Sequence, residues 1–192
     1  MRDLDPPRSG AVTEHVFGYA SLVGAPGATR LVTLRGHRRV WGVAMDNRVA
    51  VPGYKVYEEP DGDRPAVAVA FLDLEPDPGA AVTGALLDLT EDELQALDDR
   101  ERQYRRADVT AAIEPAPPAG ARVWTFVGRE PGRERVRRGR EDGAPVVIQR
   151  AYVELVERAF RALGPEHHER YLASTEPPPF PLRELARVDL PA

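Results

Sequence analysis

The chain contains no cysteine, and that single absence removes several kinds of chemistry. Disulfide staples, thiolate metal sites and a cysteine nucleophile are all excluded. Histidine is scarce: there are four, with His15 and His37 isolated and His167 and His168 adjacent, where a helix points them in different directions. Such a set is poor material for a metal cluster, and no metal site is expected. Lysine occurs once, at Lys55, among 26 basic residues that are otherwise arginine. The abundance of Ala, Arg and Pro beside that lone lysine reads as base composition of the genome more than mechanism. No apolar run approaches the length of a membrane span, and Met1–Gly10 lacks the apolar core of a signal peptide. A cytoplasmic protein is expected.

What is present fits a soluble globular domain. The 192 residues suffice for one core of ordinary size, with 42% hydrophobic and 30% charged residues. The formal net charge of −5 argues against nucleic acid or an anionic membrane as the main partner.

Along the chain, Met1–Val12 reads as a loose arm. His15–Tyr19 is a short strand candidate followed by a loop over Ala20–Gly27. Leu31–Met45 alternates around Gly36 and Gly42, which suggests two strands or one bent strand with a bulge. Asp46–Pro65 is turn-rich and carries Tyr54 and Tyr57. Ala66–Leu74 and Ala81–Leu89 are strong strand candidates separated by a turn at Glu75–Gly79. Tyr104–Ile113 and Ala121–Gly128 alternate like strands, with a Pro-rich turn between them. Arg129–Glu141 reads as a solvated, arginine-rich loop. Ile148–Leu163 is a helix with Tyr152, Leu155, Val156, Ala159 and Leu163 on one face, and a shorter helix covers Glu166–Ala173. Adjoining strands without intervening helices favour antiparallel or mixed pairing. The expected fold is therefore α+β, with room for the sheet to curl into a barrel. It forms one domain over residues 1–173, with a proline-rich C-terminal tail over 174–192.

The most informative stretch is Thr90–Arg106. Thr90 and Glu93 form a capping box, so a helix starts there. Leu94 and Leu97 give an apolar stripe, and Tyr104 extends it if the helix runs that far. At about 100° per residue Glu101 falls between Leu94 and Leu97, near the centre of the stripe. A carboxylate in that place must be paired, hydrated in a cleft or shifted in its titration. It is a candidate acid or base.

Two motifs together resemble a family. Val16–Val23, VFGYASLV, is similar to the Phe-x-Tyr-Gly-Ser-Leu signature of the γ-glutamylcyclotransferase-like proteins. Leu97–Val109, LDDRERQYRRADV, resembles that family's second signature, an acidic helix end with the catalytic glutamate shortly before a Tyr and a strand. LRGHRRVWG between them is similar to the family's Leu-x-Gly-(Tyr/His/Phe)-x-Arg segment. The likeness spans roughly His15 to Gly128. It implies a small mixed, partly closed β-barrel flanked by helices, no cofactor, and an intramolecular aminolysis that closes 5-oxoproline and expels an amine or amino acid. It assigns Glu101 the general acid/base role and Tyr19, Ala20, Ser21 and Leu22 the substrate loop. Tyr104 is then either a hydroxyl donor in the site or a core aromatic, and Tyr19 could equally be core. The chain departs from the pattern at Ala20, where the family has glycine; a demand for positive φ there would put turnover in doubt.

The implied partner is a small γ-glutamyl compound, with no nucleic acid and no membrane. Glutathione, another γ-glutamyl peptide and a γ-glutamylamine all remain open, as does the oligomeric state. The alternative is a module of the same fold that binds a small acidic metabolite or a partner without turnover. A serine hydrolase using Ser21 is a poor third, because Ser21 lacks the Gly-x-Ser-x-Gly elbow.

Overall fold

A computed structural model describes residues 14–191. The loose arm expected over Met1–Val12 lies outside the described residues. The described chain opens with β1 (Glu14–Gly18), in which Val16 and Phe17 are completely buried. A 3-10 turn at Ser21–Gly24 leads into β2 (Ala28–Asp46). The alternation around Gly36 and Gly42 resolves as one bent strand of 19 residues. Its register against the neighbouring strand shifts between Arg35 and His37 and between Trp41 and Val43. Gly36 takes φ +71°, which a side chain would resist.

After the short β3 (Lys55–Glu58) comes β4 (Ala68–Asp88). Here the expectation of two strands fails. The segment is one strand of 21 residues that stays paired to β2 on both sides of the Pro/Gly stretch. Pro76 lies opposite His37 and Ala81 opposite Arg35, so the residues between them bulge across from Gly36. The turn signal is real, but it bends a paired ribbon instead of ending a strand.

Helix α1 (Glu91–Arg100) follows, then β5 (Tyr104–Asp108), β6 (Ile113–Glu114) and β7 (Arg122–Gly128). The strand expected to run to Ile113 stops at Asp108. That carboxylate accepts from the Thr110 amide at 2.9 Å and from its hydroxyl at 2.6 Å, turning the chain into a 3-10 turn.

The arginine-rich segment is also corrected, from loop to helix α2 (Glu130–Glu141). Pro131 suits its first turn, and Glu134 pairs with both Arg137 and Arg138 along the helix. Its buried residues, Gly132 and Val136, were too few to show a helical period.

Ile148 and Gln149 belong to β8 (Val146–Gln149), so α3 (Arg150–Ala162) begins two residues later than expected. Val156 and Phe160 are its buried residues, while Leu155, expected to face inward, is 48% exposed. Helix α4 (Pro165–Ala173) precedes β9 (Leu182–Arg183) and β10 (Ala186–Asp189).

The main sheet has eight strands in the order β5-β7-β1-β4-β2-β6, with β8 on β4 and β9 on β8. Pairing is mixed: β1–β7, β4–β8 and β8–β9 are parallel and the rest antiparallel. Among the described residues the sheet curls into a half-barrel flanked by four α-helices, the α+β architecture expected. Strands β3 and β10 form a separate antiparallel pair. Residues 174–191, set apart as a tail in the sequence reading, thus contribute a strand to each sheet. Glu176 further accepts from the Trp41 amide and pairs with Arg140 at 2.8 Å.

Arg39 on β2 fastens several of these pieces. Its side chain is 1% exposed. Nε donates to the Tyr19 carbonyl at 2.8 Å and Nη2 to the Thr83 carbonyl at 2.7 Å. Nη1 donates to the hydroxyls of Ser174 at 3.1 Å and Thr175 at 2.8 Å. The guanidinium also lies over Phe160 and Tyr171, 5.1 and 5.0 Å from the ring centroids. Burial lowers its pKa to about 10, still well above neutrality. Arg39→Met would leave the two carbonyls without a donor, and unsatisfied buried acceptors cost about 1–3 kcal/mol each. We expect a loss of about 2–4 kcal/mol in chemical denaturation. Faster hydrogen exchange should accompany it at the residue-39 amide, which donates to the Ser174 carbonyl, and at the Glu176 amide, which donates to the residue-39 carbonyl.

Candidate active site

The capping box forms as read: the Thr90 hydroxyl accepts from the Glu93 amide at 3.3 Å, and the Thr90 amide donates to Glu93 Oε2 at 2.8 Å. Leu94 and Leu97 pack with Val16, Leu87 and Phe126, which seats α1 against β1, β4 and β7. The helix then ends at Arg100, and Glu101 is its C-cap, with φ −87° and ψ 47°. Glu101 therefore does not reach the interior on the apolar stripe. It is carried there by a tight turn in which its amide donates to the Leu97 carbonyl and its carbonyl accepts from the Tyr104 amide.

The Glu101 carboxylate is paired. Arg100 donates to Oε1 from Nε at 3.0 Å and from Nη2 at 2.9 Å, and the Glu101 side chain is 20% exposed. It lines a small inner recess of about 40 Å³ together with Tyr19, Ala20, Ser21, Leu22, Leu72, Tyr104, Phe126 and Tyr152. The structure thus brings every sequence-predicted site residue to one place. Five of the lining residues also border a larger outer cleft of about 530 Å³.

The loop is shaped by close approach. A Cβ on Gly18 would come within 2.5 Å of Leu22 Cβ, so the 3-10 turn folds tightly back on the end of β1. Ala20 has φ −135°, a negative value open to any L-residue, and belongs to the main core cluster. Among the described residues the Ser21 and Leu22 amides donate to no intramolecular acceptor, as expected of the first amides of a helical turn.

Tyrosines make up much of the inner wall. Tyr19 is almost fully buried and donates to the Phe126 carbonyl at 2.8 Å; Tyr104 donates to the Leu72 carbonyl at 2.9 Å. Burial raises the pKa of Tyr19, Tyr104 and Tyr152 well above the ordinary phenol value, so all three stay neutral. The question of core or site dissolves for Tyr19 and Tyr104, which serve the core and line the recess at once.

The outer cleft is bordered by the insertion after β2, through Tyr54, Lys55 and Tyr57, and by α3 and β10. Arg102 pins the insertion by donating to the Pro52 and Gly53 carbonyls at 3.2 and 3.3 Å and lying over the Tyr54 ring. Sequence reasoning missed Tyr152 and Phe71, which looked like core, and Lys55, whose signal was its uniqueness between two tyrosines. It also missed Arg100 as the partner of Glu101. No histidine lines either cavity that Ser21 borders, so nothing supports a serine hydrolase. Among the described residues no acidic or histidine group of three or more could hold a metal ion, and no helix is long and apolar enough to cross a membrane.

A family model described as gamma-glutamyl cyclotransferase, AIG2-like, matches residues 16–143. The chain belongs to this family. The matched segment includes the loop, Glu101 and Tyr104, and stops before β8 and α3. No curated protein matches the sequence at a significant level. A solved structure named gamma-glutamyl cyclotransferase is similar over 86% of this chain and 89% of its own, at 13% identity and TM-score 0.50. That likeness supports the cyclotransferase-like fold. An uncharacterized protein of Homo sapiens shows the same coverage at 14% identity and TM-score 0.49. A protein of Arabidopsis thaliana is similar over 65% of this chain and 74% of its own, at 18% identity and TM-score 0.37.

The tight return of the Ser21–Gly24 turn onto β1 is testable. Gly18→Ala should destabilise the protein by about 1–3 kcal/mol through overpacking. It should also move the Ser21 and Leu22 amide resonances more than those of α2.

Proposed function

We propose that the chain is a γ-glutamyl cyclotransferase-type enzyme with Glu101 as its general acid and base. One observation carries this reading: Glu101 lines the same recess as Ser21 and Leu22, whose backbone amides have no acceptor among the described residues. In the reaction the α-amine of a γ-glutamyl group attacks its own γ-carbonyl. A C–N bond forms to close 5-oxoproline, and the original amide C–N bond breaks to release an amine. The attacking amine loses a proton and the departing amine gains one, so a single carboxylate between them can perform both transfers.

Arg100 engages only Oε1, and Oε2 has no protein partner among the described residues. The free oxygen is available to the substrate while the pair orients the group. The Ser21 and Leu22 amides would receive the carbonyl oxygen as it becomes negative. Neutral tyrosines around them exclude water and strengthen those bonds. The recess alone is smaller than a γ-glutamyl group, so the substrate would span recess and cleft, with its leaving amine in the cleft.

That small recess also favours the second reading, a module that binds an acidic metabolite without turnover. The two part on product. Incubation with a panel of γ-glutamyl peptides and γ-glutamylamines should release 5-oxoproline, and its absence across the panel would leave the binding module as the description.

Glu101→Gln should lower turnover by about 10²–10⁴-fold, the usual contribution of a positioned acid or base. Stability should change by no more than about 1 kcal/mol, because an exposed arginine pair contributes little. Ala20→Gly should change kcat/KM little, since φ at Ala20 is already negative. A large gain on restoring glycine would mean that the natural residue had suppressed turnover.

A further inference from the structure

We propose that the outer cleft selects a leaving amine bearing two negative charges, such as an acidic amino acid, with Lys55 and Arg158 as the two counterions. The inference rests on the cyclotransferase reading and adds the chemistry of the departing group. Four cationic side chains line the cleft, Lys55, Arg100, Arg158 and Arg187, against one carboxylate, Glu101. This is a local inversion in a chain whose net charge is −5.

Two of the four are already neutralised. Arg100 holds Glu101 at 2.9 Å, and Arg187 holds Asp189 at 2.6 Å. Asp189 sits opposite Lys55 in the β3–β10 register, so its engagement by Arg187 removes the nearest cross-strand partner for the lysine. Lys55 and Arg158 have no ion pair or hydrogen bond within the described residues. They come from different elements, β3 and α3, and both line the cleft.

Lys55 is the sharper case. Its ammonium lies 4.8 Å from the Phe71 ring centroid, 5.6 Å from Tyr54 and 6.0 Å from Tyr57. Aromatic faces hold a cation in place without cancelling its charge. Desolvation lowers its pKa to about 8, against the pull of Glu101, so at neutral pH it is still mostly charged. An anion binding there meets a charge already stripped of water and already positioned. A leaving group with a single α-carboxylate would satisfy one cation. A second carboxylate satisfies both.

The space of about 400 Å³ beside α2 lacks this property: it is lined by Arg38, Arg133, Arg137 and Arg140, each paired with a carboxylate. In the space of about 490 Å³ beside Ser174, Arg38 is paired with Glu75, and the buried Arg39 is already bound by two carbonyls and two hydroxyls.

The test compares γ-glutamyl-glutamate, γ-glutamyl-alanine and γ-glutamyl-ethylamide, following 5-oxoproline release. We expect kcat/KM to fall in that order, by about tenfold per charge removed. In Lys55→Met and in the exposed-site variant Arg158→Gln, the ratio between the first and last compounds should shrink by a similar factor, and Lys55→Arg should restore most of it. A wild-type ratio at or below one, or a ratio untouched in both variants, overturns the proposal. If no compound yields 5-oxoproline, the cyclotransferase reading fails on its own. Calorimetric titration of Glu101→Gln with the same compounds then decides the charge selection: tighter binding of γ-glutamyl-glutamate that weakens in the Lys55→Met background supports it, and equal binding of all three overturns it.

Discussion

A guanidinium buried without a carboxylate is the constraint on which the arrangement depends. Arg39 sits at the bend of β2 and is neutralised by no acid; its charge is dispersed over two carbonyls, two hydroxyls and two aromatic rings. Those groups come from four regions of the chain. The Tyr19 carbonyl precedes the Ser21–Gly24 turn, the Thr83 carbonyl is on β4, Ser174 and Thr175 follow α4, and Phe160 and Tyr171 are on α3 and α4. A buried charge tolerates little slack in its partners, since every lost bond exposes it to a low-dielectric surrounding. The loop that presents the Ser21 and Leu22 amides is thus fixed from behind by the same side chain that draws the C-terminal segment onto the barrel.

Much of this was legible in the sequence where local chemistry decides the outcome. The capping box at Thr90 and Glu93, the strands at His15 and Ala121, and the bend at Gly36 all follow from residues near in sequence. What was not legible came from partners far along the chain. Glu75–Gly79 carries every mark of a turn, yet β2 stays paired to both flanks and the marks become a bulge. Arg129–Glu141 shows no apolar period because only Gly132 and Val136 are buried, and the helix is held by ion pairs and by packing on β2. The last stretch looked detached because its prolines suggest extended chain. Extended chain is also what a sheet edge accepts, and β8 and β3 each take a strand from it.

The site shows the same division. The positions of the loop and of Glu101 follow from two motifs, although the route of Glu101 into the recess is a helix cap and not a helical face. The tyrosine wall, the Arg100 clamp and the basic cleft needed the fold. Tyr152 and Phe71 are spaced like any core residue, and only the meeting of α3, β4 and the insertion shows that their rings edge a cavity.

The division of the protein into two sheets has a bearing on how such a site can diversify. The loop and Glu101 are anchored to the eight-stranded sheet, whereas Lys55, Tyr57 and Arg187 stand on a two-stranded ribbon with its own hydrogen-bond ladder. A change in that ribbon leaves the pairing of the main sheet intact. The recess beside the Ser21–Gly24 turn and the cleft wall on the ribbon can therefore drift at different rates. On the proposed reading, one scaffold can explore new amine partners by revising a handful of positions on β3 and β10 while Glu101 and the loop stay still.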